Sequence, residues 1–310
     1  MSTTLQGKVA VVTGAGAGLG AAYAVALAQA GAAVVVNDAV EAAARSTVEA
    51  VEAAGGRAVA VVAPVGSAET AQQLVDTALA EFGGFDVLVT NAGILRDKSL
   101  LKMSDDDFDA VLAVHVRGTF SCVRAAFASF KERGVAGRIV TIGSPTGQRG
   151  NFGQTNYAAA KAAIVGMVRT WALEMKKAQV TVNAVVPVAA TAMTRTVPYF
   201  AAAVEAMDAG EPIPSFYRHD LGFGSPEDVA GLVVFLASDE SAGISGQVLG
   251  AGGDRLQVWS HPEPVLTVHH EGGWDADTIA AQFGPTLREN LQSVGERFPE
   301  LPADLVRPQA

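Results

Sequence analysis

Short valine-rich runs, separated by longer alanine-rich stretches of helical character, constrain this chain more than any other feature. The runs fall at Lys8–Val12, Ala33–Asn37, Ala58–Val62, Asp86–Thr90, Gly137–Ile142, Val180–Val186 and Gln247–Leu249. Helices are expected near 39–54, 68–82, 104–133, 155–177 and 226–238. Strands this apolar on both faces belong inside a sheet covered on both sides, and alternation with helices makes the sheet parallel. Helix starts are marked by Ser104 before Asp105-Asp106-Asp107 and by Pro226 before Glu227-Asp228. No internal repeat or low-complexity linker divides the chain.

The first strand runs into Thr13-Gly14-Ala15-Gly16-Ala17-Gly18-Leu19-Gly20, which opens an alanine-rich helix through Ala30. The spacing is Gly-x-x-x-Gly-x-Gly on Gly14, Gly18 and Gly20, not the strict Gly-x-Gly-x-x-Gly. The physics is shared: glycines allow a tight turn and close approach of backbone to a pyrophosphate, and the helix start offers unpaired N–H groups. A plain strand-to-helix turn is the alternative. The second strand ends at Asp38, where a carboxylate accepts from an adenosine 2′-hydroxyl and repels a 2′-phosphate. No Arg or Lys lies in the loop or beside Asp38, so NAD is expected over NADP; Asp38 as a helix N-cap is the rival reading. These features predict an α/β fold, a Rossmann-like doubly wound parallel sheet of about seven strands.

Tyr157 and Lys161 stand four residues apart and share one face of a helix. An ammonium beside a phenol favours the phenolate, which a free tyrosine reaches only near pH 10. Ser144 follows the run ending at Ile142, at the carboxyl edge where open α/β sheets build their sites. A serine there can reach a substrate oxygen held by the tyrosine. Alone, Tyr-x-x-x-Lys is a common surface pattern; beside the glycine loop and Asp38 it reads as acid/base machinery for hydride transfer.

Together these motifs resemble the short-chain dehydrogenase/reductase family: Thr13 to Gly20, Asn91-Ala92-Gly93, Ser144, and Tyr157 with Lys161. The likeness covers roughly residues 5 to 253. Three runs are similar to the (3R)-hydroxyacyl-CoA dehydrogenase unit of peroxisomal multifunctional enzyme type 2 and its single-domain bacterial relatives. They are Asn91 to Asp97, Val114 to Gly118 and Gly150 to Gln154. The resemblance implies that Ser144, Tyr157 and Lys161 are catalytic, with Lys161 also orienting the nicotinamide ribose. It implies cofactor contacts from Gly14, Gly16, Ala17, Gly18, Leu19, Gly20, Asp38, Pro64, Val65, Asn91, Ala92, Gly93, Tyr157, Lys161, Pro187, Val188 and Thr191.

His115 stands where the wider family has an asparagine whose main-chain carbonyl holds a relay water. A catalytic role and a core histidine beside Val111, Gly118 and Cys122 both fit. Two departures stand out: Ala63-Pro64-Val65 lacks the usual aspartate for the adenine amine, and Pro187-Val188 replaces Pro-Gly.

Net charge −10 over 310 residues, with no basic run, disfavours nucleic acid and anionic membrane as partners. Mean hydropathy is +0.27, yet no apolar stretch reaches the roughly 20 residues that span a bilayer without a charge or glycine. The single cysteine, Cys122, leaves no internal disulfide and fits a reducing compartment. A core strand begins almost at once, and Pro308-Gln309-Ala310 is not a peroxisomal tripeptide signal. The expected location is cytoplasmic, no metal is expected, and a homodimer or homotetramer is implied by the family likeness alone.

Residues 1–253 form the expected catalytic domain, with a substrate lid at 194–225 rich in aromatic groups. Ser144, Tyr157, Phe152, Tyr199 and Phe200 are candidate substrate contacts, and a bulky apolar substrate portion is expected. Packing at a subunit contact or filling of local core is the alternative for the lid aromatics. Arg218 and His219 are candidates for CoA phosphates or a solvated surface. Residues 254–310 read as an extension on the same domain or a neighbouring subunit, with a strand at Pro264–His269 and helix within Asp275–Phe298, broken at Gly284-Pro285. The expected activity is NAD-dependent interconversion of a secondary alcohol and a ketone, foremost a (3R)-3-hydroxyacyl-CoA and its 3-oxoacyl-CoA. A steroid or other bulky-alcohol dehydrogenase is the alternative, and an inactive NAD-binding scaffold the remote one.

Overall fold

The valine runs pair in parallel. The computed structural model describes residues 4–191, 194, 197–296 and 298–306. Among these residues eight strands form one sheet: β1 (Val9–Thr13), β2 (Ala33–Asp38), β3 (Arg57–Val62), β4 (Val87–Thr90), β5 (Arg138–Ile142), β6 (Thr181–Pro187), β7 (Val248–Gly252) and β8 (Arg255–Val258). Their order is β3-β2-β1-β4-β5-β6-β7-β8, all parallel except the β7–β8 pair. The strand order reverses between β1 and β4, which pair from Ala10↔Val87 to Thr13↔Thr90. The loops after both strands therefore leave side by side, at the crevice where such sheets bind ligands.

Ten α-helices accompany the sheet: α1 (Gly18–Gln29), α2 (Glu41–Ala53), α3 (Ala68–Phe82), α4 (Asp105–Leu112), α5 (Gly118–Arg133), α6 (Pro145–Arg149), α7 (Thr155–Met175), α8 (Ala201–Asp208), α9 (Glu227–Ala237) and α10 (Ala276–Gln282). One face of the sheet buries Tyr23, Leu27, Val51 and Val233 from α1, α2 and α9. The other buries Leu74, Val123, Phe130 and Val168 from α3, α5 and α7. Burial on both faces explains why the strands carry valine with no polar alternation.

The stretch expected as one helix at 104–133 is two helices joined by a π turn, Ala113–Arg117. By length and hydropathy alone Asp105–Arg133 could cross a bilayer; here its α5 half lies on the sheet through Val123, Ala126 and Phe130. Ser104 starts α4 with a capping box, its hydroxyl accepting from Asp107 N and the Asp107 carboxylate accepting in return.

Two expectations need correction. The sheet gains an antiparallel edge strand, β8, after the sharp Gly252-Gly253-Asp254 turn; Gly253 takes φ +51° there, and a Cβ would lie 2.6 Å from the Arg218 carbonyl. Further on, no strand forms at 264–269. Pro262 and Pro264 remove backbone donors just where a ladder would begin. Helix α10 does form, capped by Asp275, and a π turn at Phe283–Leu287 takes up Gly284-Pro285.

Gly295, Glu296, Leu301 and Leu305 then bring the extension back to the main body. Gly295 N donates to Arg149 O at 2.7 Å, and Arg149 Nε donates back to Gly295 O at 3.2 Å. Burial pushes the Glu296 carboxyl up, while Arg149 and Arg255 pull it down. Leu301 and Leu305 pack on a small third core formed by Ala190, Phe200, Ala203, Tyr217, Leu221 and Phe223.

Candidate active site

Backbone geometry comes first, because the glycine loop leaves room that side chains would fill. A Cβ on Gly14, whose φ is +60°, would sit 2.5 Å from Ala92 Cα. One on Gly16 would sit 2.7 Å from Asp38 Oδ2, and one on Gly20 would collide with the Gly14 carbonyl. The start of α1 has no side-chain cap: Ala17 is the N-cap residue. Its first-turn N–H groups therefore face outward at the switch point, as an anion site requires. Leu19 packs on the core and anchors the turn.

Asp38 is not the N-cap of α2, which begins at Glu41 after Val40. Its Oδ2 accepts from Gly16 N at 3.0 Å and its Oδ1 from Val40 N at 2.9 Å. The carboxylate thus lies against the glycine loop. Asn91 ties the loops after β1 and β4 together, its Nδ2 donating to Gly14 O at 2.8 Å and Thr13 O at 3.2 Å. Thr13 Oγ1 accepts from Asn91 N and Ala92 N. Thr13 is a bracing residue absent from the sequence candidates; a hydroxyl on the last strand residue was the available signal. Thr191 Cγ2 approaches the position of a Gly18 Cβ to 3.9 Å, so Thr191 also reaches the loop. Val65 points to the π turn against Gly118, Val188 donates its N–H to Ala251 O, and Pro64 and Pro187 lie at the ends of β3 and β6.

Ser144 lies just past β5 and caps α6, its Oγ accepting from Thr146 N at 3.2 Å. The Ser144 hydroxyl also lies near enough to the Tyr157 phenol to favour its ionised form. Lys161 is buried one turn further along α7, with Nζ donating to Ile142 O at 2.7 Å and standing 5.5 Å from the Tyr157 ring centroid. The structure brings all three together. The electrostatics correct one expectation. Burial raises the Tyr157 pKa, Ser144 lowers it, and Asp97 raises it; Lys161 is not among the causes. Burial also brings the Lys161 ammonium down to about 7. Desolvation is the largest influence on both groups.

His115 sits in the π turn, 2 % exposed, edge-on to Tyr157 with ring centroids 5.3 Å apart. Its Nε2 lies 2.9 Å from Ile94 O and 3.1 Å from Ile94 N, and its Nδ1 is buried with no partner. A Cβ on Gly93 would collide with the imidazole, so only glycine permits this packing. Burial first, then Lys161, lowers its pKa to about 3, against a weaker raising effect of the Ile94 hydrogen bond. The ring is therefore held in its neutral form near neutral pH, edge-on to Tyr157.

Other candidates divide. Phe152 is 90 % exposed on the turn between α6 and α7. Tyr199 stacks on Phe298 at 4.8 Å and donates its hydroxyl to Pro299 O at 2.8 Å. Phe200 is a correction: it stacks on Phe223 at 4.2 Å and 6°, 6 % exposed, and its ring fills the third core. Asp228 and Asp254 clamp the Arg218 guanidinium at 2.7–3.1 Å. Positions 195 and 196 of the expected lid lie outside the described residues. Among the described residues no group of His, Cys, Asp and Glu is gathered to hold a metal ion. A phenol, a hydroxyl and a buried ammonium beside an anion-binding cradle can exchange a proton with an alcohol oxygen while a dinucleotide lies along the sheet edge.

The model of the family described as enoyl-(acyl carrier protein) reductase matches residues 14–253. Hydroxyacyl-CoA dehydrogenase ChsB1 of Mycobacterium tuberculosis is 40% identical over 301 residues, covering 93% of this chain and 90% of that protein. Mouse peroxisomal multifunctional enzyme type 2 is 45% identical over 201 residues, 62% of this chain and 27% of that much longer protein. The crystal structure of a short-chain dehydrogenase from Mycobacterium avium superposes with a TM-score of 0.77 at 36% identity, covering 96% of this chain and 98% of that one.

Proposed function

This chain belongs to the short-chain dehydrogenase/reductase family, and from that premise we propose that it is an NAD-dependent dehydrogenase interconverting a (3R)-3-hydroxyacyl-CoA and its 3-oxoacyl-CoA. Members of the family use nicotinamide cofactors. The convergence of Ser144, Tyr157 and Lys161 at the carboxyl edge, beside the glycine cradle, is the observation that carries the catalytic reading. Similarity to a hydroxyacyl-CoA dehydrogenase over nearly the whole chain supports the substrate class.

In the oxidative direction Tyr157, in its phenolate form, takes the hydroxyl proton of the substrate and becomes the phenol as the carbinol carbon gives up hydride. Ser144 donates to the same oxygen, a contact that strengthens as charge develops there. Lys161 keeps the floor of the site polar and would orient the nicotinamide ribose. The bound nicotinamide supplies the hydride acceptor, or the donor in the reverse reaction. Gly14, Gly16, Gly18 and Gly20 would hold its pyrophosphate at the start of α1, and Asp38 would hold the adenosine ribose. With no Lys or Arg in the loop or next to Asp38 in sequence, that carboxylate favours NAD over NADP.

A bulky ring alcohol is the second reading, because Phe152 presents an open aromatic face on the loop that follows Ser144. Initial rates of NADH formation on (3R)-3-hydroxyacyl-CoA thioesters, hydroxysteroids and simple secondary alcohols separate the readings. The thioester should lead in kcat/KM. A hydroxysteroid turned over faster than every thioester would replace the first reading with the second.

A further inference from the structure

Gln154 is the N-cap residue of α7, yet its side chain does not cap that helix. Its Nε2 donates instead to Asp97 Oδ2 at 2.8 Å. Its Oε1 accepts from Thr146 Oγ1 at 3.2 Å and from Asn151 Nδ2 at 3.0 Å. Thr146 in turn donates its N–H to Ser144 Oγ at 3.2 Å. One amide therefore connects the turn carrying Ser144 to the loop after β4.

Two further bonds run beside it. Lys98 N donates to Gly153 O at 2.9 Å, and Asn156 Nδ2 donates to Arg96 O at 3.1 Å. Three consecutive residues, Arg96, Asp97 and Lys98, thus grip three of the four residues just before Tyr157. Asn156 is fully buried; its Nδ2 also reaches Asp107 O at 3.1 Å, and its Oδ1 accepts from Tyr157 N at 2.8 Å. Lys98 extends the grip by pairing with Asp107 at 2.8 Å, inside the α4 capping box. Gln154 and Asp97 have no role in the reaction as described above.

From this network, and resting on the functional reading given above, we infer that Gln154 and Asp97 are positioning residues: they lock the first turn of α7 against the Ser144 turn, so that phenol and hydroxyl meet one substrate oxygen together. Hydrogen bonds between side chains of different loops fix relative position, and misplacement of reacting groups by about 1 Å costs on the order of a hundredfold in rate. Asp97 acts also through charge. The groups that face Tyr157 are Lys161 from α7, His115 from the π turn, Ser144 from the turn after β5 and Asp97 from the loop after β4. Asp97 holds the phenol toward its protonated form.

The test compares Gln154→Leu, Asp97→Asn and Tyr157→Phe in the full chain, with NAD and (3R)-3-hydroxybutanoyl-CoA as probe and amide hydrogen exchange as a second readout. Gln154→Leu should lower kcat about tenfold or more, leave the NADH dissociation constant unchanged, and speed exchange of the 153–158 amides but not those of α1. Asp97→Asn keeps an acceptor for Gln154 and loses the charge. It should move the rising limb of the pH–rate profile to lower pH. Should Gln154→Leu fail to fold, the pH limb of Asp97→Asn decides alone. Unchanged kcat in Gln154→Leu, a kcat loss without faster exchange at 153–158, or an unmoved limb in Asp97→Asn overturns the inference. Retained activity in Tyr157→Phe would overturn the functional reading, whatever the other two variants do.

Discussion

Lys161 and His115 are the two buried bases of the site, and each trades stability for position. The ammonium of Lys161 is desolvated, with its pKa lowered from 10.5 to about 7. The unfolded chain therefore holds this proton more tightly than the folded one between about pH 7 and 10. The resulting destabilisation is full below pH 7 and fades as pH rises toward 10. Lys161→Met should raise unfolding free energy by about 2 kcal/mol at pH 6, with the gain vanishing near pH 10, while turnover is lost. Urea denaturation at the two pH values checks this, and a variant less stable than wild type at pH 6 would oppose it. His115 has the same sign in a lower window. Its folded pKa of about 3, against 6.5 unfolded, contributes stability that is complete above pH 6.5 and is lost as pH falls toward 3. Between pH 7 and 5 that loss amounts to about 2 kcal/mol. His115→Asn should flatten the slope by that amount; an unchanged slope would show that the ring titrates normally.

Among the elements, the lid shows how a residue's type can be read without its address. Phe200, Tyr217 and Phe223 are aromatic in a loop-rich stretch, which fits a substrate wall or a small core equally well. The structure puts Phe200 against Phe223 in a core sealed by Leu301 and Leu305. Phe200→Ala should therefore cost about 3–5 kcal/mol of local or global stability, read as a lowered thermal midpoint without added NAD. A normal midpoint with only a raised KM would return Phe200 to the substrate wall. The regular elements were legible because burial on both faces leaves valine runs, and because Ser104, Pro226 and the glycines punctuate them. What escaped has local causes. Strand β8 is four residues long and alternates exposed Leu256 and Val258 with half-buried Arg255 and Gln257, too short to show a period. The π turn at Ala113–Arg117 adds one residue to a helical turn without any Gly or Pro to announce it. The tail read as a strand has its ladder donors removed by prolines.

At the scale of the whole molecule, topology assembles the site. The crossover reversal between β1 and β4 brings Gly14, Asp38 and Asn91 together from three loops, and the β5 turn and α7 add Ser144, Tyr157 and Lys161. Sequence spacing announced these residues, because each loop leaves the same sheet edge. It did not announce the ties between loops, Thr13 to Ala92 or Gln154 to Asp97, which exist only once the strands are ordered. The extension closes on the same end through Gly295 with Arg149 and through Phe298 with Tyr199.

The central claim is that the phenol of Tyr157 exchanges the substrate proton. Steady-state NADH formation by wild type and Tyr157→Phe, on the alcohol the wild type turns over fastest, tests it most directly. Phenylalanine keeps the ring against His115 and removes only the oxygen, so the fold and NADH binding should persist while kcat falls by roughly a thousandfold. A Tyr157→Phe enzyme that binds NADH and turns over within a few-fold of wild type would contradict the account.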